Sequence, residues 1–185
     1  LITQEEHIDA TIKNGELIAD VTKDLLKIAV INRYSEAAIA VAFIKNFGLK
    51  EGAIASSVAH DSHNIIIVGA DDESMAKAAN LIIKERGGLS LVSSKEEMVI
   101  GLPVAGLMSD GDCETIGNAY AKIDHAAKAL GSSLKAPYMV LSFMALLVIP
   151  QLKLSDKGLF DGSKFVFTGR SEEHTSELQS PTIIS

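Results

Sequence analysis

The sequence predicts an α/β fold, a layered sandwich in which a mixed sheet carries flanking helices. Three observations point there. Short apolar runs of strand length, residues 25–31, 37–44, 53–58 and 65–68, follow one another between turn residues. Two longer segments, starting at Asp71 and Cys113, repeat apolar residues at helical spacing. Apart from Gly117, glycine and proline fall between these segments rather than inside them. Strand order is not legible from the pattern.

The opening, residues 1–24, is polar and mixed, and Lys13-Asn14-Gly15-Glu16 reads as a turn between two short extended pieces. Strands are expected over 25–31 and 37–44. A turn over 47–52 precedes a third strand over 53–58, and a fourth spans 65–68 before Gly69. Asp71-Asp72-Glu73 opens a helix, because carboxylates satisfy the free amides of a first turn and favour the positive end of the dipole. Met75, Ala78, Ala79, Ile82 and Ile83 mark its apolar face, and Gly87-Gly88 stops it. Residues 89–92 and 98–102 form a hairpin around Ser93-Ser94-Lys95-Glu96, and 102–109 is a buried irregular passage. A second helix covers 113–130, with Ile116, Tyr120, Ile123, Ala127 and Leu130 on one face and Gly131 as its stop. Pro137 opens an apolar run to Ile149 that fits helix or strand equally. Residues 152–159 read as strand and turn, and 165–167 close the domain.

The 185 residues, 47% of them hydrophobic, suffice for one domain with a real core. A net charge of −7 and the lack of a basic stripe argue against nucleic acid and anionic membrane as partners. The lone Cys113 excludes an internal disulfide and a cysteine-rich zinc site, and fits a reducing cytoplasm. The apolar run over 138–149 is too short to span a bilayer. The chain opens on Leu1 and shows no signal peptide, which suggests a fragment lacking an upstream part. Arg170-Ser-Glu-Glu-His-Thr-Ser-Glu-Leu-Gln-Ser180 resembles the translation of a sequencing-library adapter. Residues 169–185 are therefore expected to be an artefact tail with little order and no function.

One stretch concentrates chemistry. Residues 56–64, Ser-Ser-Val-Ala-His-Asp-Ser-His-Asn, pack two histidines, a carboxylate, an amide and three hydroxyls in front of an apolar strand. The mouth of a strand is a frequent place for a reactive site in folds that alternate helices and strands.

The same stretch carries a resemblance. Residues 48–66, Gly-Leu-Lys-Glu-Gly-Ala-Ile-Ala-Ser-Ser-Val-Ala-His-Asp-Ser-His-Asn-Ile-Ile, resemble the C-terminal domain of bacterial adenine deaminases of the amidohydrolase superfamily. So do Leu-Pro-Val-Ala-Gly-Leu-Met-Ser at 102–109, Leu-Ser-Phe-Met-Ala-Leu at 141–146 and Val-Ile-Pro-Gln-Leu-Lys-Leu-Ser-Asp-Lys-Gly-Leu at 148–159. Ser35-Glu36-Ala37-Ala38 departs from the glycine- or lysine-rich loop of many relatives.

The resemblance implies a purine-salvage enzyme that hydrolyses adenine to hypoxanthine and ammonia. It implies a divalent metal, manganese or iron, held in an N-terminal barrel upstream of Leu1. No His-x-His motif occurs in the chain, so no metal ligand is assigned here and the chain alone is expected to be inactive. The implied division is a leader over 1–24 that links from the barrel or a small β domain and the C-terminal domain over 25–168, followed by the adapter-like tail over 169–185. The implied partners are adenine, the enzyme's own barrel and further copies in a homo-oligomer, in the cytoplasm.

Deamination needs an activated water and a proton shuttle. Within the resemblance, His60, Asp61 and His63 are candidates to assist proton transfer, and Ser57 and Asn64 to bind substrate. In extended chain the two histidines point to opposite faces; in a turn they converge. Asp61 would fix an imidazole tautomer, and Asn64 would hold a purine edge. The alternative is a polar network that caps the strand and braces the barrel, with no catalytic residue. Ser56 and Ser57 lack a nucleophile-elbow pattern. Cys113 lacks a paired base, His125 should face solvent, His7 lies in the leader, and Gly87-Gly88 is not a phosphate loop. Met139, Phe143 and Met144 are expected in the core.

Overall fold

The chain enters through three short strands, β1 (Glu5–His7), β2 (Thr11–Lys13) and β3 (Glu16–Ile18), of which β2 and β3 pair antiparallel as a hairpin. The computed structural model describes residues 2–8, 11–13, 15–168 and 182–184. After a single turn of 3-10 helix come β4 (Leu26–Ile31), β5 (Ala40–Ile44), β6 (Ala53–Ser56) and β7 (Ile65–Gly69). Helix α1 (Asp72–Glu85) and strands β8 (Gly88–Val92) and β9 (Glu97–Gly101) follow. Helices α2 (Cys113–Ala129) and α3 (Pro137–Phe143) precede β10 (Leu152–Ser155), β11 (Gly158–Asp161), β12 (Val166–Phe167) and β13 (Thr182–Ile184).

Eight strands form one mixed sheet in the order β1-β13-β5-β4-β7-β6-β8-β9, in which only the β13–β5 pair is parallel. Strand alternation sorts its side chains into two layers. Ala29, Ala53, Ala55, Ile65 and Ile67 meet Met75, Ala78, Ala79 and Ile82 of α1. Ile28, Val30, Ile54, Ile66 and Val68 join a larger core with Ile123 of α2 and Leu141 of α3. The expected layered sandwich is the fold observed. β7 is buried at every position, which is why it reads as an unbroken apolar run.

Local chemistry sets the ends. Asp71 caps α1 by accepting the Ser74 N–H at 2.7 Å. The helix ends at Arg86, whose φ of 61° is left-handed, and the Gly87 N–H returns to the Ile82 carbonyl. Pro137 sits in the first turn of α3, so the ambiguous run is helical up to Phe143. The Tyr138 hydroxyl fastens α3 to the sheet by donating to the Ser90 carbonyl at 2.9 Å, and burial pushes its phenol well above the usual tyrosine range.

Several expectations shift. β5 starts at Ala40, not residue 37, because Val30↔Ala40 is the last ladder pair and residues 37–39 are exposed. β6 stops at Ser56, two residues early, because Ser57 turns out of the β7 ladder. Residues 165–167 do not close the main sheet: β12 edges a separate three-stranded sheet, β10-β11-β12, with Val166 and Phe167 about half exposed. Met139 is 57% exposed rather than in the core. Of the expected tail, 169–181 and 185 lie outside the described residues. Thr182–Ile184 forms β13 between β1 and β5, with Ile183 and Ile184 buried.

The leader is stitched to β10. Thr3 Oγ1 donates to the Leu152 carbonyl at 2.8 Å and accepts from Lys153 Nζ at 3.0 Å. Lys153 is fully buried, and desolvation lowers its pKa to about 8. The unfolded chain then binds more protons between pH 8 and the ordinary lysine value, so stability rises with pH across that window and is lowest below it. The stability difference between wild type and Lys153→Met should shift toward wild type by at most about 3 kcal/mol between pH 7.5 and 10 in urea titrations. A flat difference would contradict this.

Candidate functional site

The connection from β6 to β7 forms the site, and side chains build it. Ser56 Oγ accepts the Val58 N–H at 2.9 Å and starts the turn. The His63 N–H closes one turn onto the Ala59 carbonyl at 2.7 Å, with Ala59 fully buried beneath. His63 takes a φ of 53°, a left-handed conformation in which histidine is enriched among non-glycine residues. The His60 N–H donates to the Ser142 carbonyl at 3.1 Å, which ties the turn to α3.

The turn brings the two imidazoles together. The rings of His60 and His63 lie 5.8 Å apart, edge to face, and Phe143 stands 4.9 Å from His60 on the other side. His63 Nδ1 is buried and has no hydrogen-bond partner among the described residues. Such orphaned buried groups are rare and point to strain or to a missing partner. Asp61 is exposed at the tip and makes no hydrogen bond to either imidazole. Two imidazoles at this spacing can take up and deliver protons on one small molecule.

Ser57 and Asn64 sit under the turn. Asn64 is 2% exposed, and its Oδ1 accepts the Arg33 N–H at 3.2 Å. Ser57 is fully buried. Its Oγ donates to the Gly106 carbonyl at 2.5 Å and accepts the Gly88 N–H at 2.7 Å. One hydroxyl thus clamps the 102–109 passage to the sheet. Ser57→Ala leaves that N–H and carbonyl unpaired, and should lower unfolding free energy by about 1–3 kcal/mol in denaturant titrations; an unchanged midpoint would contradict the clamp.

Sequence reasoning missed Arg33 and Tyr34. Asn32 Oδ1 accepts the Tyr34 and Ser35 N–H groups at 2.8 and 3.0 Å, and the Tyr34 hydroxyl reaches the Ser62 carbonyl at 2.9 Å. An Asn that follows a strand and folds back on its own backbone was the available signal. The Arg33 guanidinium donates to the Ala105 carbonyl and lies over Gly106, where a Cβ would meet Arg33 Nη1 at 2.1 Å. His125 and Cys113 are exposed, and the side chain of His7 lies outside the described residues.

Among the described residues no group of three or more His, Cys, Asp or Glu side chains is placed to hold a metal ion. The turn supplies two imidazoles and no third ligand, so a manganese or iron centre does not fit this chain's described residues. Among the described residues no helix is long and apolar enough to cross a membrane.

The family described as "Adenine deaminase C-terminal domain" matches residues 1–166. A curated protein named adenine deaminase from Sulfurovum sp. (strain NBC37-1) is 56% identical over 168 residues, 90% of this chain and 30% of that protein. Proteins of the same name from Methanosarcina mazei and Salinibacter ruber are each 49% identical, over 90% and 91% of this chain and 30% and 31% of their own lengths. The chain therefore spans about 30% of the curated relatives it matches.

Proposed function

Since this chain belongs to the adenine deaminase C-terminal domain family, we propose that it completes an enzyme that hydrolyses adenine to hypoxanthine and ammonia. The reaction centre then lies in the portion of the relatives that this chain does not span. A divalent metal in that barrel, manganese or iron, would supply the activated water. Residues 1–24 form the passage from the barrel, residues 25–168 the domain that packs on it, and further copies complete a cytoplasmic homo-oligomer serving purine salvage.

The chain's own residues do the remainder. His60 and His63 face the purine and move protons on its ring nitrogen or leaving amine, beside the exposed Asp61 carboxylate. Asn64 and Ser57 shape the adenine pocket from beneath, through the turn and the 102–109 passage that they hold. The observation that supports this best is the converging pair of imidazoles with His63 Nδ1 left unpartnered. An imidazole pair able to donate and accept at neutral pH suits a reaction that takes one proton and releases another.

A second reading, a bracing and oligomerisation domain with no catalytic residue, is favoured by one observation. Ser57 Oγ and Asn64 Oδ1 are already bonded to backbone groups inside the fold. Ammonia release from adenine separates chain from barrel: none is expected from this chain alone, and turnover when an upstream barrel is supplied. Turnover by the chain alone would overturn the placement of the reaction centre.

A further inference from the structure

The 480 Å³ cavity between α1, the start of β7 and the end of β4 combines two features that proteins seldom leave idle. Its walls are apolar, formed chiefly by Ile31, Ile65 and Ile82. Its rim carries Arg33 and Arg86, the only two arginines among the described residues. Among the described residues neither arginine pairs with a carboxylate, although the chain carries a net charge of −7. The nearby Asp156 carboxylate accepts instead from Asn32 Nδ2 at 2.9 Å.

Arg86 adds a second, independent sign. It occupies the left-handed position after α1, at φ 61°, where glycine is the favoured residue, and two glycines follow at once. A long cationic side chain held in a strained backbone conformation is a mark of functional use. Arg33 is equally fixed: its guanidinium lies 5.3 Å from the centre of the Tyr34 ring, close to Gly106, and donates to the Ala105 carbonyl. Tyr34 is 65% exposed, so an aromatic surface stands at the cavity rim.

We propose that this cavity binds a small phosphate monoester with a flat ring body, the class of a nucleoside monophosphate. Two guanidinium groups with no carboxylate partner among the described residues match the near-dianionic charge of a phosphate monoester at neutral pH better than the single charge of a carboxylate. The isoleucine walls and Tyr34 receive the ring. The concave shape and volume suit a small molecule rather than a flat protein face. Occupancy would be felt at the β6–β7 turn, because the Arg33 N–H holds Asn64 and the Tyr34 hydroxyl holds the Ser62 carbonyl.

The test is calorimetric titration of the 185-residue chain with AMP, inorganic phosphate and adenosine at low salt. It needs no deaminase turnover, so its outcome is separate from that of the adenine reading. Saturable AMP binding is expected with a dissociation constant below about 1 mM. Phosphate and adenosine should each bind at least about tenfold more weakly. Arg86→Asn keeps a residue that tolerates the left-handed conformation and removes the charge; it should weaken AMP binding at least about tenfold with its thermal midpoint preserved. Arg33→Gln, measured in parallel, should do the same and stands in if the first variant unfolds. No AMP binding by the wild type would overturn the proposal. So would phosphate binding as tightly as AMP, or unchanged affinity in both variants.

Discussion

His63→Asn, introduced into an enzyme that joins this chain to the proposed upstream barrel, should lower adenine turnover by about 10²–10⁴-fold while leaving the fold intact. Asparagine suits the test because it accepts the left-handed backbone that His63 adopts at φ 53°. The closing bond of the turn, from the residue 63 N–H to the Ala59 carbonyl, is a backbone bond and survives the change. What disappears is the imidazole 5.8 Å from His60, the only element of the turn lost. Steady-state ammonia release, with circular dichroism and metal content as controls, checks it. Normal turnover with normal metal content would reduce the turn to a brace.

Gly87→Ala is expected to be strongly destabilising. Gly87 has a φ of 134°, and a Cβ there would lie 2.2 Å from the Gly106 Cα. Backbone meets backbone at that point, so no side chain can swing away. The 102–109 passage must lift from the sheet, which breaks the Ser57 bond to the Gly106 carbonyl and withdraws the surface under the Arg33 guanidinium. Left-handed strain and the forced shift together should cost about 3 kcal/mol or more. Urea unfolding measures this directly; a loss under about 1 kcal/mol would mean the two segments are not in close approach.

The parts of the fold that were legible in sequence are those fixed by local pattern. β7 is buried at every position and reads as an unbroken apolar strand, and β4, partly buried at Lys27 and Ile31, reads as a strand from its weak alternation. α1 is announced by Asp71 and stopped near Gly87 for reasons visible within one turn. Pairing between distant segments is another matter. The neighbours of β6 are β7 and β8, and nothing in the apolar alternation of β6 distinguishes them from β9. β13 has three residues, too few for a period to register.

The site divides along the same line. Convergence of His60 and His63 follows from their spacing once the segment is a turn. The uses of Ser57 and Asn64 do not, because Gly106 lies 49 residues and Arg33 31 residues away in sequence. Arg86 was hidden for a different reason. Two glycines follow it, and either would have served as the left-handed residue, so only the structure reveals that arginine takes the strained position.

The most direct measurement is the position of the β6–β7 turn in a purine-bound structure of an enzyme containing both this chain and the proposed upstream barrel. An imidazole nitrogen of His60 or His63 should stand within about 3.2 Å of a purine nitrogen, or reach one through a single water. A turn facing bulk solvent, with the purine enclosed by barrel residues alone, would contradict the catalytic assignment.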